Sequence, residues 1–347
     1  MRILQVIAAK GYGGAEKHLL ILSQGLLAAG HEVICVVPKR SWIAEECQRL
    51  GLPHRTMTFR GAYDFLAIGL LRHFIKKWQA EIVHGHLTRA SRYVNLATRK
   101  TKGLPVNTCH ATSSHSHMRT SKKVIAVSQA VKENLLRHGY PDEQIEVIYN
   151  GVPPAAIGQR AEIRRELQIP AEVFAMVCVG RMVRDKGQQN LIEIISELPE
   201  RIHLYLIGDT DTPYGKQLLE LSNNHPRIHF MGFRADVLRV LSAFDLCVAP
   251  SRREALSIAL IEASQAGLPI VANRVGGIPE VVAEHRSGIL VTPQDNRQLA
   301  EQLIALAANP SLLAEFGNHA RQIYATKFTA EQMTAATLGV YRKVLTE

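Results

Sequence analysis

The chain has 347 residues, 46% of them apolar and 21% charged, with 24 Gly and 15 Pro. That suits two domains of roughly 150 residues each and excludes a disordered tail protein or a fibrous repeat. The net charge of +10 is confined to one half: residues 1–170 hold 24 Lys+Arg against 12 Asp+Glu, a balance of +12, whereas residues 171–347 hold 17 against 19. Such asymmetry points to an anionic partner for the first half, whether nucleic acid, membrane surface or acidic substrate, or else to an ordinary solvated face.

Short Val- and Ile-rich runs recur at Ile3–Ala8, Val33–Val37, Glu81–His84, Val124–Val127 and Val147–Tyr149, with helix-length periodic segments between them. The alternation restarts at Phe174–Val179, Leu204–Ile207, Leu246–Ala249 and Ile270–Ala272. Two such cycles predict an α/β protein with two Rossmann-like domains, each a parallel sheet covered on both faces. The Gly/Pro cluster Asn150-Gly151-Val152-Pro153-Pro154 predicts the hinge, giving domains 1–153 and 154–329, with a C-terminal helix at 330–347 completing the first. Two open sheets facing each other place a cleft between the domains, beyond the carboxyl ends of their strands. Five cysteines without a C-x-x-C pair predict no disulfides. No run approaches the roughly 18 apolar residues that cross a bilayer, and Met1-Arg-Ile-Leu leads straight into a strand, which predicts a cytoplasmic protein. The segment Tyr63–Trp78 intersperses Arg72, His73, Lys76 and Lys77 among apolar residues at helical spacing, as a basic interfacial helix does, and as a helix packed on its own sheet also does.

The first strand runs into Gly11-Tyr-Gly13-Gly14-Ala-Glu16, where glycine lets the backbone approach a phosphate at a helix start, or simply makes a tight turn. In the second half, Gly180-Arg181-x4-Lys186-Gly187 places two cations at the end of a strand. Two opposite charges about 4 Å apart interact by roughly 4 kcal/mol at an effective dielectric of 20, so the pair can stabilise a departing diphosphate. Arg184 in the same loop reads as solvated. Glu254 and Glu262 bracket an apolar stretch, and a helix over 255–262 would separate their carboxylates by roughly 12 Å, the span of a nucleotide sugar. Glu262 would then accept two vicinal ribose hydroxyls. His84-x-His86 and His115-x-His117 have zinc-like spacing without a neighbouring carboxylate or thiol to complete a set, and Asp209-x-Asp211 reads as a loop.

Taken in order, G-x-G-G-x-E, V-S-x-x-V at Val127, N-G-V at Asn150, G-R-x4-K-G and E-x7-E followed by Gly267-x-Pro269 resemble the retaining GT-B glycosyltransferases of family 4, over essentially the whole chain. The resemblance implies a UDP- or GDP-linked sugar held mainly by the second domain and a glycan or glycolipid acceptor held mainly by the first. It implies no required metal or other cofactor and no nucleic-acid partner. Carried over by position, Arg181 and Lys186 contact the diphosphate, Glu254 the sugar and Glu262 the ribose. Leu256, Ser257 and Ile258 contact the donor at the helix start, and Gly13 and Gly14 reach the phosphate from the opposite domain. His110 resembles the histidine that faces the reacting sugar. Where members often carry Gly after the first glutamate and again two positions on, this chain has Ala255 and Ser257. The expected function is transfer of a hexose with retention of configuration, in lipopolysaccharide or polysaccharide synthesis at the inner face of the membrane. The rival classes are a nucleotide-sugar epimerase of the same fold and a non-catalytic nucleotide-sugar-binding protein.

Overall fold

The computed structural model describes residues 1–61, 64–112 and 116–347. The chain forms two compact units, one of Met1–Pro153 with Thr329–Glu347 and one of Pro154–Phe328.

Among the described residues the first unit holds seven strands: β1 (Arg2–Ile7), β2 (Glu32–Pro38), β3 (His54–Met57), β4 (Ile82–His86), β5 (Leu104–Cys109), β6 (Lys123–Ala126) and β7 (Ile145–Val147). They pair in the order β3-β2-β1-β4-β5-β6-β7, all parallel. β1 lies between β2 and β4, so the strand order reverses at its carboxyl end, where doubly wound sheets open a crevice. The register sets Gln5 beside His84, and His86 beside Thr108, at that same end. The helix Ala330–Thr346 returns to this unit. Its Met333, Leu338, Tyr341 and Val344 are buried with Ile3, Leu22, Val106 and Ile148. Gly25 is required where that helix crosses the helix Gly14–Ala28, because a Cβ there would lie 2.2 Å from Thr334 Oγ1.

The second unit holds β8 (Phe174–Val179), β9 (Ile202–Ile207), β10 (Ile228–Phe230), β11 (Leu246–Ala249), β12 (Ile270–Asn273) and β13 (Gly288–Val291). They are ordered β10-β9-β8-β11-β12-β13, again all parallel, and the reversal falls between β8 and β11. Burial on both faces explains why the central strands are continuous apolar runs: Ala175, Met176 and Val177 of β8 are all fully buried. All five cysteines are free and buried, where a thiol acts as a small hydrophobe. Among the described residues no helix is long and apolar enough to cross a membrane.

Candidate active site

In the second unit the predicted residues come from two neighbouring loops. After β8 the chain turns at Gly180 (φ +158°), and Arg181 is exposed, its carbonyl accepting from Gln188 Nε2 at 2.9 Å. A short turn, Arg184–Lys186, ends at Gly187 (φ +70°), where a Cβ would lie 2.1 Å from the Pro250 carbonyl oxygen. Only glycine has both the backbone freedom and the absent side chain for that approach. The loop after β8 therefore lies directly on the loop after β11. Arg252 N–H donates to the Asp185 carbonyl at 2.7 Å, and Arg253 pairs with the Asp185 carboxylate at 2.9 Å.

These contacts bring Lys186 and Glu254 into an ion pair, with side chains 21% and 13% exposed. Glu254 is fixed from its other side as well. Gly277 N–H donates to its carbonyl at 3.3 Å, and Gly276 (φ +51°) passes so close that a Cβ would be 1.7 Å from the same oxygen. The helix that follows is shorter than predicted. It spans Ile258–Ala266, because Ser257 caps it by accepting from Leu260 N–H at 3.4 Å, so residues 255–257 are not helical and the 12 Å span does not follow. Leu256, Ser257 and Ile258 are buried at this helix start. Glu262 is buried one turn further on, its charge adding to burial and to Cys178 in pushing the Cys247 thiol up. Asp209 and Asp211 form a local turn after β9, with Asp211 N–H donating to Asp209 Oδ1 at 2.9 Å.

In the first unit, Gly13 has extended backbone (φ −173°) and precedes the helix Gly14–Ala28. Glu16 is buried in the first turn, so a carboxylate already stands at the positive end of that helix. His110 follows β5 and is partly exposed. It lies in a cluster that sequence spacing did not assemble. His86 Nδ1 and His110 Nε2 are 3.0 Å apart, His86 Nε2 is 2.7 Å from Gln5 Oε1, and His18 packs edge-on against His110 with ring centroids 4.8 Å apart. Burial lowers His18 to about 4 against the opposing Asn150 hydrogen bond, and burial followed by repulsion among the rings holds His84, His86 and His110 well below the usual histidine range. All four are therefore neutral at pH 7. Ring nitrogens of His18, His86 and His110 lie within 4.8 Å of one another, close enough to hold a metal ion. The predicted His115 partner lies outside the described residues, and the His117 ring is exposed.

Two Rossmann-like units, each carrying candidate groups at the carboxyl end of its sheet, define a GT-B-type α/β protein. Residues 12–156 match the Glycosyltransferase Family 4 domain and residues 174–309 the domain described as Glycosyl transferases group 1. The chain belongs to this glycosyltransferase family. It is 26% identical over 95% of both chains to the lipopolysaccharide core biosynthesis glycosyltransferase LpsD of Rhizobium meliloti. With alpha-maltose-1-phosphate synthase of Mycolicibacterium smegmatis it shares 31% identity over 64% of this chain, a match spanning only 63% of that relative's length. Its fold is that of Anabaena Alr3699/HepE, solved in complex with UDP and glucose, at a TM-score of 0.87 and 22% identity over 97% of this chain and 98% of that one.

Proposed function

We propose that the protein is a retaining glycosyltransferase moving a hexose from a nucleotide-diphospho-sugar to a hydroxyl of a bacterial surface glycan or glycolipid. The observation that carries this reading is the Lys186–Glu254 pair beside exposed Arg181, at the carboxyl ends of β8 and β11. The bond from the anomeric carbon to the β-phosphate oxygen breaks, and the acceptor oxygen forms its bond on the same face of the sugar. The acceptor proton passes to the departing phosphate. Arg181 and Lys186 stabilise the charge developing on that phosphate, and Glu254 accepts from sugar hydroxyls while holding Lys186 in place. Buried Glu262 receives the ribose hydroxyls. The relative named for lipopolysaccharide core synthesis and the structural neighbour holding UDP and glucose support the donor and acceptor classes.

Incubation with labelled UDP- and GDP-sugars, with and without a glycolipid extract, tests the reading. Transfer that persists in strong chelator is expected; isomerised donor alone identifies an epimerase, and binding without turnover a non-catalytic protein. Glu262→Ala raises the donor KM by about tenfold or more with a smaller change in kcat, since a hydrogen bond to a charged group is worth about 1.5–3 kcal/mol and ribose contacts are alike in ground and transition states. Unchanged KM with collapsed kcat would remove Glu262 from the ribose.

The acceptor side includes an anionic membrane surface. The helix Phe65–Trp78 buries Ile68, Leu71 and Ile75 against its own sheet but leaves Phe65, Leu66 and Leu70 exposed at 74%, 66% and 54%. Lys39, Arg55 and Arg60 line the same shallow cavity as Leu66 and Leu70. Each basic residue near an anionic leaflet contributes on the order of 1 kcal/mol within a Debye length. Sedimentation with anionic vesicles is expected at low salt and lost at high salt, with neutral vesicles binding weakly. Equal, negligible binding everywhere would remove the membrane role.

A further inference from the structure

His84, His86 and His110 of the first unit lie on a hydrogen-bonded wire whose direction is set at one residue. Gln5 donates from Nε2 to the Tyr341 hydroxyl at 3.0 Å and accepts on Oε1 from His86 Nε2–H at 2.7 Å. With its proton on Nε2, His86 has a lone pair on Nδ1, and that nitrogen takes the Nε2–H of His110 at 3.0 Å. His110 is then left with a lone pair on Nδ1, and it is the member of the wire that is partly exposed. On the other branch Tyr341, having accepted from Gln5, donates to His84 Nδ1 at 2.6 Å, and His84 Nε2–H donates to Thr108 Oγ1 at 2.7 Å. All three rings of the wire thus carry the Nε2–H tautomer. Turning the Gln5 amide over reverses each bond, and His110 would then carry its proton on Nδ1.

We propose that Gln5 and His86 are positioning residues that lock His110 in the Nε2–H tautomer, so that Nδ1 meets a substrate hydroxyl as an acceptor. The proposal rests on the reading of the protein as a glycosyltransferase, with His110, which resembles a histidine of the family's active site, meeting a substrate. An N–H at that position could not accept a hydroxyl proton, so the polarity of the wire decides what His110 can do. His18 engages Asn150 through Nδ1 at 2.9 Å and, being neutral, sets no charge against the wire.

Nitrogen-15 NMR of the histidine-labelled protein reads the tautomer without substrate. The native protein is expected to show His110 as Nε2–H alone. Gln5→Glu removes the donor to Tyr341 and sets a carboxylate against His86, which gains a proton and donates from Nδ1. His110 is then expected to switch to Nδ1–H, and turnover to fall by about tenfold or more while donor KM changes little. His86→Phe removes the bond and gives a comparable fall. His86→Gln supplies both an acceptor for His110 and a donor for Gln5, and is expected to restore most of the turnover. A tautomer mixture in the native protein, or a His110 indifferent to Gln5→Glu, overturns the lock. A tautomer switch with unchanged turnover overturns the role of His110 as the acceptor of a substrate hydroxyl. A stoichiometric metal ion on His18, His86 and His110 in the purified protein overturns the wire, because it would occupy the lone pairs the wire uses.

Discussion

Lys186→Ala and Arg181→Ala are each expected to lower turnover by about a hundredfold or more, because losing one well-placed electrostatic stabiliser costs roughly 2.7–4 kcal/mol of barrier. The two differ in their ground states. Removing Lys186 leaves the Glu254 carboxylate, only 13% exposed, without its partner, so this variant also loses affinity for the donor. Arg181 is exposed, and its replacement costs the folded protein nothing comparable. Steady-state kinetics with donor varied at saturating acceptor separate the effects. Near-wild-type kcat in both variants would sink the diphosphate assignment.

The second large effect comes from a residue with no chemistry of its own. Gly276→Ala forces a left-handed backbone (φ +51°) on a residue with a side chain and drives its Cβ to 1.7 Å from the Glu254 carbonyl oxygen. Overpacking typically costs about 1–3 kcal/mol, and for a unit of this size each kcal/mol moves Tm by roughly 2–4 °C, so a fall of about 2–12 °C is expected in thermal denaturation. Relief requires the backbone at Glu254 to move, so kcat/KM should fall with Tm. Gly339→Ala is the control, since nothing lies within 4 Å of its Cβ in the C-terminal helix. That change should be neutral or stabilising by up to about 1 kcal/mol. If Gly276→Ala kept both Tm and kcat/KM, the close packing at Glu254 would be excluded.

The strands legible in the sequence were those buried on both faces: Phe174–Val179 and Leu246–Ala249 are continuous apolar runs and have the predicted ends. Those passed over lack that signature. His54–Met57 is an edge strand with three exposed polar residues, Ile228–Phe230 is a three-residue edge, and Leu104–Cys109 carries Pro105 and Asn107. Gly288–Val291 is the exception, a four-residue run opened by a glycine and buried at all four positions. In the candidate site the same contrast holds. Arg181, Lys186, Glu254 and Glu262, the residues proposed to hold the donor, lie in compact local motifs that spacing alone picks out. The wire through Gln5, His86, His110 and Tyr341 joins residues from opposite ends of the chain, and adjacency of β1, β4 and β5 creates it; no spacing in the sequence could have shown it.

The return of Thr329–Glu347 to the first unit reverses the usual order of maturation during synthesis. Domains commonly fold as they emerge, the N-terminal one first. Here the unit begun first is finished after the second: Tyr341, Val344 and Met333, which join the core around Ile3 and Val106, are made only after residues 154–328. Residues 154–328 are continuous and can fold while the ribosome is still attached. Until Thr329–Glu347 is available, the nascent first unit leaves the apolar side of Ile3, Leu22 and Val106 open and Gln5 and His84 without Tyr341. A nonsense codon between Ala330 and Tyr341 would therefore damage the beginning of the protein while leaving the continuous stretch 154–328 intact.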